Sequence, residues 1–266
     1  MTQHRGGPSA RRDDVGLLHV EHAGAGPAVV LIHAGVADSR MWDPQWAAWQ
    51  TRFALTRLDL RGFGRSGPPL GSFSHAADVL RVLDAAAIER ALVVGASFGG
   101  LVALDLAAAH PERIAGLVLA DAPLPGADWS DEMRGFFAAE DAAFEKGALE
   151  AATEVNVEFW VGSASDAVQA AIREQQLNAF RLQADVEGDD SLLTEDLPGA
   201  LAMLDVPTLV LTGEDDKADF QATADRLVAT LPRARRAAVA GAGHLPSLER
   251  PAAFDEIVLP FLEGRA

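Results

Sequence analysis

The 266-residue sequence has no cysteine, which excludes disulfides and thiolate metal sites and fits a reducing compartment. It is also short of positive charge. Its 22 lysines and arginines stand against 39 aspartates and glutamates, giving a formal net charge of −17. Phosphate binding needs clustered Lys and Arg, so this balance argues against nucleic acid as a partner, and the acidity reads as a solubility feature. No apolar run approaches the roughly 20 residues of a membrane span. The first 14 residues, MTQHRGGPSARRDD, lack the continuous apolar stretch of a secretory signal and read as a flexible polar arm. These absences point to a soluble, cytoplasmic protein acting on a small molecule, with neither nucleic acid nor membrane as partner; a homodimer is compatible with them.

What is present is a globular composition, 49% hydrophobic, with short apolar strands alternating with helical segments. Strands are expected at 15–21, 28–33, 53–58, 91–95, 114–120, 208–212 and 235–240, and helices at 41–50, 73–87, 97–109, 218–230 and 251–263. This alternation predicts an α/β fold with a mostly parallel sheet and helices on both faces. It breaks between about Leu124 and Leu204, where helical periodicity runs over 131–146, 148–160 and 166–182 with no convincing strand. The expected organisation is a core of 15–123 and 205–266, interrupted by a helical cap at 124–204. Such a cap would cover the carboxyl ends of the strands, where ligands bind in open α/β sheets.

The most informative stretch is Leu92-Val93-Val94-Gly95-Ala96-Ser97-Phe98-Gly99-Gly100: an apolar strand, a G-x-S-x-G turn, then an alanine-rich helix. The motif alone arises by chance in roughly one chain in ten of this composition, so its weight rests on the strand before it and the helix after it. A serine on such a turn has an exposed hydroxyl, and the helix amino terminus faces the point where negative charge develops in acyl transfer. A serine hydroxyl needs a base, and the base needs a group to orient it. The strand 208–212 ends in Gly213-Glu214-Asp215-Asp216, and the strand ending near Ala240 leads into Gly241-Ala242-Gly243-His244. The chain order Ser97, Asp216, His244 is nucleophile, acid, histidine.

With these residues in place, the chain resembles the α/β-hydrolase superfamily over nearly its whole length. VVLIHAGVADSRMW, LDLRGFGRSG, VVGASFGG, HPERIAGLVLADA, VPTLVLTGEDD and GAGHLPSLERP carry the likeness. It is closest to small capped esterases and enol-lactonase-like hydrolases. The resemblance implies Ser97 as nucleophile, Asp216 as acid and His244 as general base, with no metal and no organic cofactor. It also implies an oxyanion hole made by the backbone N–H of Phe98 and that of Gly35 or Val36. Many relatives have His-Gly where this chain has His33-Ala34, which leaves Gly35 and Val36 both open. The usual position three residues after the glycine favours Asp216 as acid, with Asp215 as the alternative.

Other patterns are weaker. Gly62-Phe63-Gly64-Arg65-Ser66-Gly67 matches a dinucleotide fingerprint, but Pro68-Pro69 forbids the helix that must follow at once. Glu214, Asp215, Asp216 and Asp219 lack the spacing of a calcium loop. His33 reads as a prop for the oxyanion loop, while His4, His19, His22, His75 and His110 have no partner pattern. Trp42, Trp129, Phe136, Phe137, Phe144, Phe159 and Trp160 are candidate walls of an apolar substrate site. The expected activity is therefore hydrolysis of an apolar carboxylic ester or lactone. Cofactor-free perhydrolysis or carbon–carbon bond hydrolysis on the same three residues is the alternative, followed by a non-catalytic ligand-binding protein. An anionic substrate would call for a cation in the site, for which Arg61, Arg134 and Arg181 are candidates.

Overall fold

Runs rich in Val, Leu and Ile become the strands, and their order along the chain is read from a computed structural model that describes residues 16–184, 186 and 188–265. The polar arm expected at 1–14 lies outside the described residues. The strands are β1 (His19–Ala23), β2 (Ala28–Ile32), β3 (Ala54–Asp59), β4 (Gly71–Phe73), β5 (Ala91–Ala96), β6 (Ile114–Ala120), β7 (Gly188–Asp190), β8 (Thr208–Gly213) and β9 (Ala234–Val239). Seven of them form one sheet in the order β1-β3-β2-β5-β6-β8-β9. All its neighbours are parallel except β1, which runs antiparallel to β3 at one edge. Every residue of the inner strands β5 and β8 is buried, as a sheet covered on both faces requires.

The helices are α1 (Asp43–Trp49), α2 (His75–Ala85), α3 (Phe98–Ala109), α4 (Asp131–Phe144), α5 (Leu149–Val161), α6 (Asp166–Gln183), α7 (Leu197–Leu201), α8 (Ala218–Thr230), α9 (Pro246–Glu249) and α10 (Pro251–Glu263). Because successive strand residues face opposite sides, the sheet feeds two cores. Val30, Ile32, Val93 and Leu117 pack with apolar residues of α2, α3 and α8, while Val29, Leu31, Val94 and Val118 pack with Trp49 of α1 and Phe254, Val258 and Leu262 of α10.

The expected elements shift only at their ends, with two informative departures. The helix expected at 41–50 is a 3₁₀ turn (Ser39–Trp42) followed by α1, because Pro44 sits in the first turn of a new helix. The region 124–204, expected to hold no strand, contains β7, which pairs in parallel with β4. β7 is three exposed residues, Gly-Asp-Asp, and carries no apolar pattern to read. Helices α4, α5 and α6 follow β6 and precede β8. The hydroxyls of Ser130 and Ser165 cap the amino ends of α4 and α6 by accepting from Met133 and Val168 N–H.

Candidate active site

Parallel strands deliver their carboxyl ends to one edge, and the chemistry-bearing loops after β5, β8 and β9 meet there. Ser97 links β5 to α3 with φ 49° and ψ −119°, a strained backbone for a residue with a side chain. Glycine makes that turn possible. A Cβ on Gly95 would overlap the Gly99 carbonyl oxygen, and one on Gly99 would lie 2.5 Å from the carbonyl oxygens of Ile32 and His33. The turn is pinned by Ser97 N–H donating to Ala120 O (2.7 Å) and Gly100 N–H donating to Ser97 O (2.7 Å). Phe98 opens α3, so its N–H is one of the donors a helix leaves unpaired at its positive end.

His244 stands in the loop after β9. Its Nε2 is 2.9 Å from Ser97 Oγ, and its Nδ1 is 3.0 and 2.9 Å from the two carboxylate oxygens of Asp216. Both side chains are nearly sealed from solvent, at 3% exposure for His244 and 1% for Asp216. The histidine loop is held by Glu249, whose carboxylate accepts from Gly243 N–H (2.8 Å) and Leu245 N–H (2.9 Å). Burial alone would raise the Asp216 carboxyl. The opposing charge and hydrogen bond of His244, with donation from Asp121 and from Lys217 N–H, outweigh it and hold Asp216 below the usual carboxylate range. Of the other acid-loop residues, Glu214 and Asp215 are exposed. Asp219 accepts from the N–H (2.7 Å) and hydroxyl (2.8 Å) of Ser130 at the start of α4.

Behind Asp216 lies a second carboxyl. Asp121, at the end of β6, is fully buried with φ 50°; its Oδ1 accepts from Gly213 N–H (3.0 Å) and its Oδ2 meets no donor. Burial first, then the charge of Asp216, push Asp121 well above the usual range. Asp121 is thus pushed up and Asp216 down, the opposite shifts that let two neighbouring buried acids share one charge.

Ser97, His244, Gly35, Val36 and Phe98 line one cavity of about 530 Å3, bringing the expected oxyanion-loop residues beside the serine. His33 props that loop from below. Its Nε2 accepts from Leu60 N–H (2.9 Å), which leaves the proton on Nδ1 for donation to Ala34 O (2.8 Å). Phe136, Phe137, Phe144 and Trp160 also line the cavity, and the Trp160 ring lies 4.2 Å from that of His244. Three of the aromatic residues expected there do not reach it. Trp42 is fully buried against Phe254 in the core below the sheet. Trp129 packs on Phe137 and Phe220 and borders a separate hollow. Phe159 is taken up by stacking on Phe136 (4.3 Å) and by Lys217 over its ring. Aromatic content on a helix marks a wall or a core equally, and only the helix's rotation separates them. The glycine-rich loop 62–67 is followed by β4 and not by a helix. Its Gly62 and Gly64 carbonyls accept from Gln183 and Asn178 of α6.

The sequence profile of the alpha/beta hydrolase fold matches residues 27–251. The chain belongs to this family. It is 32% identical over 254 residues to the pimeloyl-[acyl-carrier protein] methyl ester esterase of Nitrosomonas europaea, covering 89% of this chain and 96% of that one. A protein provisionally named carbamate hydrolase RutD, from Caulobacter sp. (strain K31), is 31% identical, covering 94% and 97%. Among solved structures, the enol-lactonase from Burkholderia xenovorans LB400 superposes with a TM-score of 0.78 at 27% identity, over 95% of this chain and all of that one. The protein is therefore an enzyme of the alpha/beta hydrolase family. In this alpha/beta hydrolase, sequence reasoning did not single out Asp121 or Glu249 in their supporting positions. The motifs LVLADA and GAGHLPSLERP contain them, but only the fold turns one carboxyl toward Asp216 and the other toward the histidine loop.

Proposed function

We propose that this alpha/beta hydrolase cleaves a carboxylic ester or lactone through an acyl-enzyme on Ser97. The observation that carries the reading is the unbroken run of contacts from Ser97 Oγ through His244 to Asp216, each 2.9–3.0 Å long. His244 Nε2 takes the hydroxyl proton as Ser97 Oγ attacks the carbonyl carbon, while Nδ1–H donates to Asp216, which fixes the tautomer and stabilises the imidazolium. The N–H of Phe98 and that of Gly35 or Val36 receive the tetrahedral oxyanion. Collapse expels the alcohol with the proton from His244. Water then gives a proton to His244, attacks the acyl carbon, and releases the acid and a restored Ser97.

The segment 124–204 acts as a cap, with α4, α5 and α6 supplying the roof of the cavity. The esterase and lactonase names of the relatives favour oxygen esters of small, partly apolar molecules as substrates. The direct test is labelling with a fluorophosphonate probe, followed by peptide mapping. The probe is expected on Ser97, with labelling and aryl-ester turnover both lost in Ser97→Ala. Labelling that survives that substitution overturns the assignment.

A further inference from the structure

Within the cavity that holds Ser97, one patch of wall differs from the aromatic rest. Glu140 on α4, Asn156 on α5 and Gln176 on α6 all line it. Asn156 is 2% exposed; its side-chain amide donates to Glu140 Oε1 (2.7 Å) and to the Ala152 carbonyl (3.0 Å). Gln176 is 4% exposed, and its Oε1 is buried with no hydrogen-bond partner among the described residues. A buried carboxamide left unpaired costs free energy unless something answers it. Three helices each bring one polar side chain to the same wall, and the Gln176 Oε1 acceptor is left unpaired there.

The charge of the lining is equally one-sided. Glu140 and Asp141 line the cavity, and among the described residues no lysine or arginine does so. The three arginines that could have served an anionic substrate are engaged elsewhere. Arg61 borders a neighbouring hollow of about 380 Å3 and is held by both oxygens of Asp78. Arg134 pairs with Asp131, and Arg181 with Glu150. A carboxylate on the substrate would enter beside two acidic side chains and aromatic rings, with no cation among the described residues to meet it.

We propose that Glu140, Asn156 and Gln176 form a polar subsite that receives an uncharged hydrogen-bond donor, a hydroxyl or amide N–H, on the non-reacting part of the substrate. The inference rests on the hydrolase reading above and narrows its substrate class. The preferred ester or lactone is apolar along the stretch that meets Phe136, Phe137 and Trp160, carries a donor further out, and bears no negative charge. Burial, joined by the nearby charge of Asp141, keeps the Glu140 carboxyl above its usual range, in keeping with a site that disfavours added charge.

The test is a series of 4-nitrophenyl acyl esters of increasing chain length. At each length the far end is a methyl, a hydroxyl or a carboxylate, and the enzyme is assayed at fixed ionic strength. At the best length the hydroxyl ester is expected to exceed its methyl partner in kcat/KM by about tenfold, the effect of one well-formed buried hydrogen bond. The carboxylate ester is expected to fall about tenfold or more below the methyl ester. Gln176→Leu should bring the hydroxyl-to-methyl ratio to about one. Glu140→Gln, which keeps an acceptor and removes the charge, should retain that ratio while relieving the carboxylate penalty. Equal turnover of hydroxyl and methyl esters at every length overturns the subsite, as does a carboxylate ester matching the methyl one or a ratio unchanged in Gln176→Leu. The wild-type ratios decide the matter even if a variant does not fold. Fluorophosphonate labelling separates the two readings. Labelled enzyme with flat ratios removes the subsite alone, whereas neither labelling nor turnover of any ester removes the hydrolase reading and the subsite with it.

Discussion

The sheet edge and the inserted helices meet at one cavity but are built on different terms. At the sheet edge the groups facing the proposed reaction centre sit on tight turns whose backbone is itself held: the turn at Ser97 by its two glycines, the histidine loop by the carboxylate of Glu249 on its N–H groups, and the acid loop by Lys217 N–H donating to Asp216, with Asp121 behind it. The inserted helices reach the rest of the protein largely through side chains. Asp219 holds Ser130, Lys217 meets Glu132, Gln175 accepts from Asp38 N–H, and Asn178 and Gln183 reach the loop at 62–64. Chemistry needs placement to a fraction of an ångström, which a sheet and short tight turns provide. Selection among substrates needs a surface that can change without disturbing that placement.

The largest effect that would break this contrast is at Asp216, the proposed acid. Asp216→Asn is expected to lower kcat about 10⁴-fold, because an amide cannot hold the His244 tautomer that accepts the serine proton. Asp215→Asn, in the exposed neighbour, should stay within about twofold. Steady-state kinetics on one aryl ester reads both, and the reverse ranking would move the acid by one residue. Next comes the turn itself. Gly99→Ala sets a Cβ 2.5 Å from two backbone oxygens at the end of β2, which cannot move without shifting the sheet. A loss of about 3 kcal/mol in urea-induced unfolding is expected, with Ser97 labelling falling alongside.

How much of this could be read from the sequence divides along the same line. Gly95, Ser97, Gly99, Asp216 and His244 stand in short motifs because sharp turns at strand ends admit few residues, and the α8 and α10 helices fall where their periodicity puts them. The inserted helices were legible as helices and not as walls. Trp42, Trp129 and Phe159 carry the same aromatic signal as Phe136, Phe137 and Trp160, yet only the latter three line the cavity with Ser97. Polar residues such as Asn156 and Gln176 look like ordinary helix surface until three helices turn them toward one space. Asp121 was hidden for a related reason: its partner is 95 residues away and on a different strand end, and no local pattern records the pairing.

A smaller effect is expected where the two regions are tied. Asp219→Ala removes two hydrogen bonds from Ser130, the residue that caps α4. Solvent takes up part of the loss at this half-buried site. The expected destabilisation is about 1 kcal/mol, or roughly 2–3 °C in Tm by differential scanning calorimetry. KM should rise about threefold while kcat stays within about twofold, since the roof shifts and the Ser97–His244–Asp216 contacts do not. A kcat loss comparable to that of Asp216→Asn would mean that the helices take part in the chemistry, and the contrast between the regions would fail.

A small effect on rate is also expected inside the sheet edge, at Asp121, where the substitution separates two buried carboxyls only 4.8 Å or less from one another and from His244. Two adjacent buried carboxyls cannot both ionise cheaply, so one keeps its proton, and burial with the neighbouring charge assigns that proton to Asp121. Asparagine at this position also donates toward Asp216 and accepts from Gly213 N–H, so Asp121→Asn should leave kcat at neutral pH within about threefold. Its signature lies in stability. A carboxyl whose folded pKa is raised contributes stability that is complete below its unfolded pKa of about 4 and is lost as pH rises toward the folded value. Asparagine has no such proton to lose. The Tm of Asp121→Asn relative to the natural protein should therefore climb between pH 4 and pH 7. If the proton instead sat on Asp216, Asp121 would be the ionised partner of the pair. Asp121→Asn would then lose stability relative to the natural protein over that range and lose most of its activity with it.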